Sequence, residues 1–182
     1  MNGIKGVVIL TRFDFIASRY GADTLKNFQR KIEPAEKNLL RQPVVLSKDY
    51  PESILKVIDE TMLEDFFNGS IDGFYDLGRW NASQILPRYF QLYMDNADAA
   101  GFLHQMVRMR PVLFGLGNMQ LTPVEKNNFA VHISYGQPYM ESIKLSEIGY
   151  LEEGCRLCGA SQIICNEIKS TDISIDYQIS WK

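Results

Sequence analysis

Met119-Gln120-Leu121-Thr122-Pro123-Val124, then the polar turn Glu125-Lys126-Asn127, then Asn128-Phe129-Ala130-Val131-His132-Ile133-Ser134-Tyr135 is the stretch that decides the fold class. Apolar and polar residues alternate with period two on both sides of the turn, which is the pattern of a half-buried hairpin. From Tyr139 to Cys158 the spacing becomes helical, with Met140, Ile143, Ile148, Leu151, Cys155 and Cys158 at the buried positions and Gly159 as the stop. Ser161 to Ile168 and Ile173 to Trp181 then predict a second hairpin around Lys169-Ser170-Thr171-Asp172, with Ile173, Ile175, Tyr177, Ile179 and Trp181 on one face. The last third of the chain therefore reads strand, strand, helix, strand, strand.

Upstream of Gly117 the texture is helical. Gly3 to Leu10 reads as a short extended lead-in, and a helical pattern starts at Thr11 with Phe13, Ile16, Tyr20, Leu25 and Phe28, interrupted at Gly21. Glu33-Pro34-Ala35-Glu36 suits the first turn of a helix that stops near Gln42-Pro43, because proline and acids are favoured there. Asp49-Tyr50-Pro51-Glu52 opens the clearest helix, whose stripe is Ile54, Leu55, Ile58, Met62, Leu63 and Phe66, capped at Asn68-Gly69. Asn81-Ala82-Ser83 reads as the cap of a helix carrying Ile85, Leu86, Tyr89, Phe90 and Tyr93, with Pro87 in its first turns. A longer pattern from Ala97 to Leu116 is bent or broken at Pro111. The expectation is one α+β domain over residues 1–182, helical over 1–116 and ββαββ over 117–182, whose helices bury their apolar stripes on one face of an antiparallel sheet.

With 182 residues, 46% hydrophobic and 23% charged, the chain has the balance of an ordinary globular protein. A net charge of −3 supplies no basic face for nucleic acid. Val7 to Leu10 is too short an apolar run for a signal-peptide core or a membrane span, and three cysteines suit free thiols in a reducing compartment; a cytoplasmic location is expected.

Cys155-x-x-Cys158 with Cys165 and His132 could supply four zinc ligands. Cys155 and Cys158, however, fall on the buried stripe of a helix rather than on a knuckle turn, so small buried side chains are the preferred reading. Glu64, Asp65, Asp72 and Asp76 near Arg79 and Trp80 read as caps and solvated loop positions, since no nucleophile with a base accompanies them. Gly115-x-Gly117 follows a helix rather than a strand and reads as a cap, not a dinucleotide loop. No catalytic set emerges, and a non-enzymatic binding role is expected.

Gly149-Tyr150-Leu151-Glu152-Glu153-Gly154 on the predicted helix, Cys158-Gly159-Ala160 after it and the terminal Tyr177-x-Ile179-x-Trp181 resemble the superfamily of nitric-oxide-signalling and Golgi-transport ligand-binding domains. That superfamily includes haem nitric-oxide-binding domains, vinyl-reductase-like domains and vesicle-tethering subunits. The Phe13-Asp14-Phe15 to Tyr20-Gly21 stretch is also similar to the opening of an uncharacterised bacterial family related to them. The resemblance implies a cavity between helices and sheet that holds an apolar or planar ligand, often in a homodimer. It makes His104, in Phe102-Leu103-His104-Gln105-Met106, the residue to test as a haem ligand. The tyrosine-serine-arginine motif that clasps haem propionates in such domains is missing: the corresponding place reads Ser134-Tyr135-Gly136-Gln137-Pro138. An ordinary surface or hydrogen-bonded histidine is the preferred reading of His104.

Aromatic residues make up 12% of the chain, enough to line such a pocket. The expected ligand-binding residues are Phe74, Trp80, Tyr89, Phe90, Tyr93 and Phe102, with Arg79 and Arg108, and also Arg88 and Arg110, placed to meet an acidic group at the mouth. The leading expectation is a sensory or regulatory module for a small apolar or planar ligand; the alternative is an interaction scaffold or adaptor with a packed interior, acting through a dimer or a protein partner.

Overall fold

The computed structural model describes residues 3–32, 42–89, 98–115 and 117–182. The chain folds into two compact units: Met1–Gly73 with Val112–Leu116, and Phe74–Pro111 with Gly117–Lys182. The predicted short helix after Glu33 and the aromatic positions Phe90 and Tyr93 lie outside the described residues.

In the first unit, strand β1 (Ile4–Lys5) pairs antiparallel with β2 (Asp49–Tyr50), and three helices follow the chain: α1 (Gly6–Tyr20), α2 (Ala22–Ile32) and α3 (Glu52–Asp65). The extended lead-in is thus two residues long, and Val7 to Leu10 belong to a helix that starts five residues before the predicted Thr11. The cause is a long-range cap. The first amide groups of a helix have no partner within it, and here Gly6 donates to the Lys48 carbonyl at 2.9 Å and Val7 to that of Leu46 at 3.0 Å. Only glycine fits at position 6, since a Cβ there would stand 2.1 Å from the Val45 oxygen. Gly21 separates α1 from α2 at φ 94°, and Asn68 and Gly69 adopt positive φ after α3, as the sequence predicts. Ile54, Leu55, Ile58 and Met62 are fully buried. Phe66, just past α3, packs against Tyr20 and Phe28 at ring-centroid distances of 4.6 and 5.6 Å. The same core holds a buried ion pair: Arg12 donates to both oxygens of Asp59 at 2.5 and 2.9 Å and to the Val8 carbonyl at 3.0 Å.

The second unit carries α4 (Gly73–Tyr89), α5 (Ala99–Leu113), β3 (Asn118–Glu125), β4 (Asn128–Ser134), α6 (Glu141–Leu157), β5 (Ile164–Ser170) and β6 (Ser174–Ser180). The four strands form one antiparallel sheet in the order β3-β4-β6-β5, so each predicted hairpin contributes one central and one edge strand. Phe129, Val131 and Ile133 of β4 and Ile175, Tyr177 and Ile179 of β6 alternate into the core, giving the predicted α+β class. Ile173, assigned to the same face, is instead exposed at the hairpin end. Both edge strands are bulged, β3 between Pro123 and Glu125 and β5 between Glu167 and Lys169, which interrupts the straight hydrogen-bonding edge.

Asn81-Ala82-Ser83 is not a cap. α4 runs through it from Gly73, Asn81 is buried at mid-helix, and Pro87 falls in the last turn rather than the first. The glycines at 73 and 78, which argue for a loop in sequence terms, are required by packing. A Cβ on Gly78 would stand 1.9 Å from the Ser146 carbonyl oxygen of α6, and one on Gly149 of α6 would stand 2.1 Å from the Tyr75 oxygen of α4. The two helices therefore touch backbone to backbone. α5 starts at Ala99, two residues after the start of its predicted pattern, and is capped by Asp98, whose Oδ1 accepts from the Gly101 amide at 2.8 Å. Pro111 lies inside its final turn.

Candidate functional site

α5 presents Ala99, Phe102, Leu103 and Met106 to the core at helical spacing, and the next position of that stripe is Arg110, which is 0% exposed. α6 does the same with Ile143, Tyr150, Leu151 and Cys155, and its stripe contains Glu147, 2% exposed. The opposite charges meet. Arg110 donates through Nε to Glu147 Oε1 at 2.6 Å and through Nη2 to Oε2 at 3.1 Å, and the Tyr135 hydroxyl donates to Oε2 at 2.7 Å. The guanidinium carbon lies 5.1 Å from the centroid of the Tyr135 ring, which in turn stacks on Tyr139 at 4.3 Å. Burial and the Glu147 charge push the Tyr135 phenol well up, so it stays a hydrogen-bond donor at any physiological pH. For Arg110, burial works against the charge, but Glu147 outweighs it and the guanidinium ends above its ordinary value.

Two other buried polar atoms of this unit, Asn81 Oδ1 and the Tyr177 hydroxyl, have no hydrogen-bond partner among the described residues. Tyr177 is 1% exposed, and its phenol is pushed up by burial first and then by the charges of Tyr135 and Glu147. Towards the other end of α6, Tyr75 donates to Glu152 at 2.5 Å, and Glu153 accepts from Arg79 at 3.2 Å and from Arg156.

The predicted ligand-binding residues are distributed as follows. Phe74 and Phe102 are buried, the latter with its ring where a Cβ on Gly154 would stand at 2.0 Å. Trp80 is half-buried, Tyr89 ends α4, Arg79 is held by Glu153, and Arg108 is exposed. The buried arginine among the described residues of this unit is Arg110, which the sequence alone puts at the pocket mouth. The signal that points to its true place is a pair of opposite charges, each sitting on an otherwise apolar helical stripe.

His104 is exposed, with its ring edge-on to Phe129 at 6.0 Å. The zinc candidates are divided by the sheet. Cys165 lies opposite Ile179 on the core side, whereas His132 lies on the other face, bonded through Nδ1 to Asp176 at 2.6 Å. Cys155 is fully buried, and Cys158 is the residue that ends α6 rather than one inside it. Burial pushes all three thiols up, Cys165 to about 12. Among the described residues no group of three or more His, Cys, Asp or Glu side chains is placed to hold a metal ion, and no helix is long and apolar enough to cross a membrane.

No protein-family model matches the chain. No curated protein matches it either. Solved structures do, over nearly its whole length. An H-NOX structure in which haem distortion was probed is 14% identical with a TM-score of 0.76, covering 98% of this chain and 95% of that one. An oxygen-binding H-NOX domain related to soluble guanylate cyclases, in its oxygen complex, is 15% identical with a TM-score of 0.75 and the same coverage. A single-substitution variant of the T. tengcongensis H-NOX is 15% identical with a TM-score of 0.73, covering 98% and 97%. The chain has the H-NOX fold.

Proposed function

We propose that this chain is a sensory or regulatory binding module, non-enzymatic, in which a small apolar or planar ligand is taken up beside Phe74, Trp80 and Phe102 and changes contact with a second copy or a protein partner. The observation that carries this reading is the H-NOX likeness over 98% of the chain, in structures whose descriptions concern haem and bound oxygen. Three free cysteines support a reducing, cytoplasmic setting.

The described residues do not fit haem. The haem sensors that this chain resembles hang the iron from a histidine of one helix and clasp the propionates with a tyrosine-serine-arginine motif. His132 is bonded to Asp176 on the far face of the sheet, His104 is exposed against Phe129, and the interior arginine is already held by Glu147. The ligand is therefore read as something other than haem.

Native mass spectrometry of the purified protein tests the proposal. A retained or bindable small apolar ligand at one per chain is the expected result. A chain with no ligand and no affinity for any hydrophobic probe would defeat it.

A second reading, an interaction scaffold, is supported by aliphatic side chains left on the edge strand β5, where Ile164 is 54% and Ile168 63% exposed. In that case Ile168→Lys would disrupt an oligomer seen by size-exclusion chromatography; a protein that is monomeric at all concentrations excludes it.

A further inference from the structure

The buried cations of the described residues are Arg12, Arg110 and Lys144, and each is matched by a carboxylate of the chain itself. Arg12 is bound by Asp59, Arg110 by Glu147, and Lys144 by Glu141 and Glu167. Among the described residues, the Tyr177 hydroxyl and Asn81 Oδ1 are buried without a partner, and both are neutral. Of the three ion pairs, the one at Arg110 has the form of a carboxylate receptor: a guanidinium fork, a phenol donating to the same carboxylate, and an aromatic face under the cation. We infer that Arg110 and Tyr135 form a carboxylate clasp closed by the chain's own Glu147, so that the interior ligand of this module is uncharged.

The physical reason is competition. A ligand carboxylate would have to displace a glutamate that is held by three hydrogen bonds and tethered at an effectively high local concentration, or else sit in the interior without a cation. A neutral ligand meets no such cost. Removing the Glu147 side chain opens a hole of the size of a small carboxylate, lined by a guanidinium and a phenol that complement its charge.

The inference rests on the binding reading above, and two measurements separate them. The first is fluorescence titration of the wild type and Glu147→Ala with metal-free protoporphyrin IX and with its dimethyl ester, which differ only in their acid groups and need no histidine. The ester should bind the wild type more tightly than the acid, and the preference should shrink by about ten-fold in Glu147→Ala. A preference that is the same in both proteins, or wild type that takes the acid as tightly as the ester, overturns the inference and leaves the binding reading intact. If neither porphyrin binds either protein, the binding reading loses support, and the clasp is decided by the second measurement, thermal unfolding with sodium acetate or formate against chloride at equal ionic strength. Acetate should stabilise Glu147→Ala, or restore its folding where the variant is unfolded, and leave wild type and Glu147→Gln unchanged. A variant indifferent to acetate overturns the clasp.

Discussion

Gly78 and Ser146 are placed so that a single methyl group at position 78 would stand 1.9 Å from the Ser146 carbonyl oxygen, and Gly149 meets the Tyr75 carbonyl in the same way from the other helix. These contacts hold α4 against α6 and thereby aim the Glu147 face of α6 at Arg110.

Gly78→Ala should accordingly destabilise the fold by about 3 kcal/mol, because the obstructing atom is backbone and cannot rotate away. Alanine otherwise favours helix over glycine by about 1 kcal/mol, so a neutral or stabilising result in urea unfolding would show that the helices do not pack at this distance.

The ion pair at Arg110 makes an asymmetric prediction. Glu147→Ala leaves a buried guanidinium without its counter-ion and should cost about 3 to 5 kcal/mol, whereas the double change Arg110→Met with Glu147→Leu should cost far less than the sum of the singles. Tyr135→Phe removes one hydrogen bond to a charged group, about 2 kcal/mol. Additive losses in the double-mutant cycle would mean the two side chains do not interact.

In the first unit Arg12 and Asp59 form a second buried pair. Asp59→Ala should cost about 3 kcal/mol or more, and its effect should add to that of Glu147→Ala, since the two pairs share no partner among the described residues. Strong non-additivity in denaturant midpoints would reveal a coupling that separate clusters cannot have.

Alkaline pH should weaken the protein. Cys165 is held up to about 12 by burial and then by Glu152, and Tyr75 is likewise raised to about 12 by burial and its bond to Glu152. Both groups are neutral when protonated, and the unfolded chain releases these protons nearer pH 9 to 10. Their contribution is complete below the unfolded values and is lost as pH rises towards 12. Urea midpoints should be flat near neutrality and fall above about pH 9, with Cys165→Ser flattening part of the decline. Cys165, half-buried with a raised thiol, should also be alkylated more slowly at pH 8 in the native chain than in the unfolded one; equal labelling rates would contradict this.

Period-two alternation at Phe129-Val131-Ile133 and Ile175-Tyr177-Ile179, the helical stripe Ile54-Leu55-Ile58-Met62 and the glycines at 21, 69 and 159 were legible because each depends on near neighbours in the chain. Those local rules determined the α+β class and the ββαββ order, and through them the likeness to haem nitric-oxide-binding domains. What local rules misplaced was decided from afar. α1 starts at Gly6 because the carbonyls of Leu46 and Lys48 receive its first amides, and α4 runs through Gly78 and Asn81 because α6 comes close enough to need a missing side chain.

The candidate site divides in the same way. The sequence by itself determined that aromatic residues are plentiful in the middle helices. Only the tertiary structure decided that Arg110 turns inward to Glu147 and Tyr135 while Arg108 faces solvent, and that His132 and Cys165 stand on opposite faces of one sheet. A charge on an apolar stripe is too costly to bury alone and harmless once its counter-charge arrives, and the arrival of Glu147, 37 residues along the chain, is a property of the packed helices.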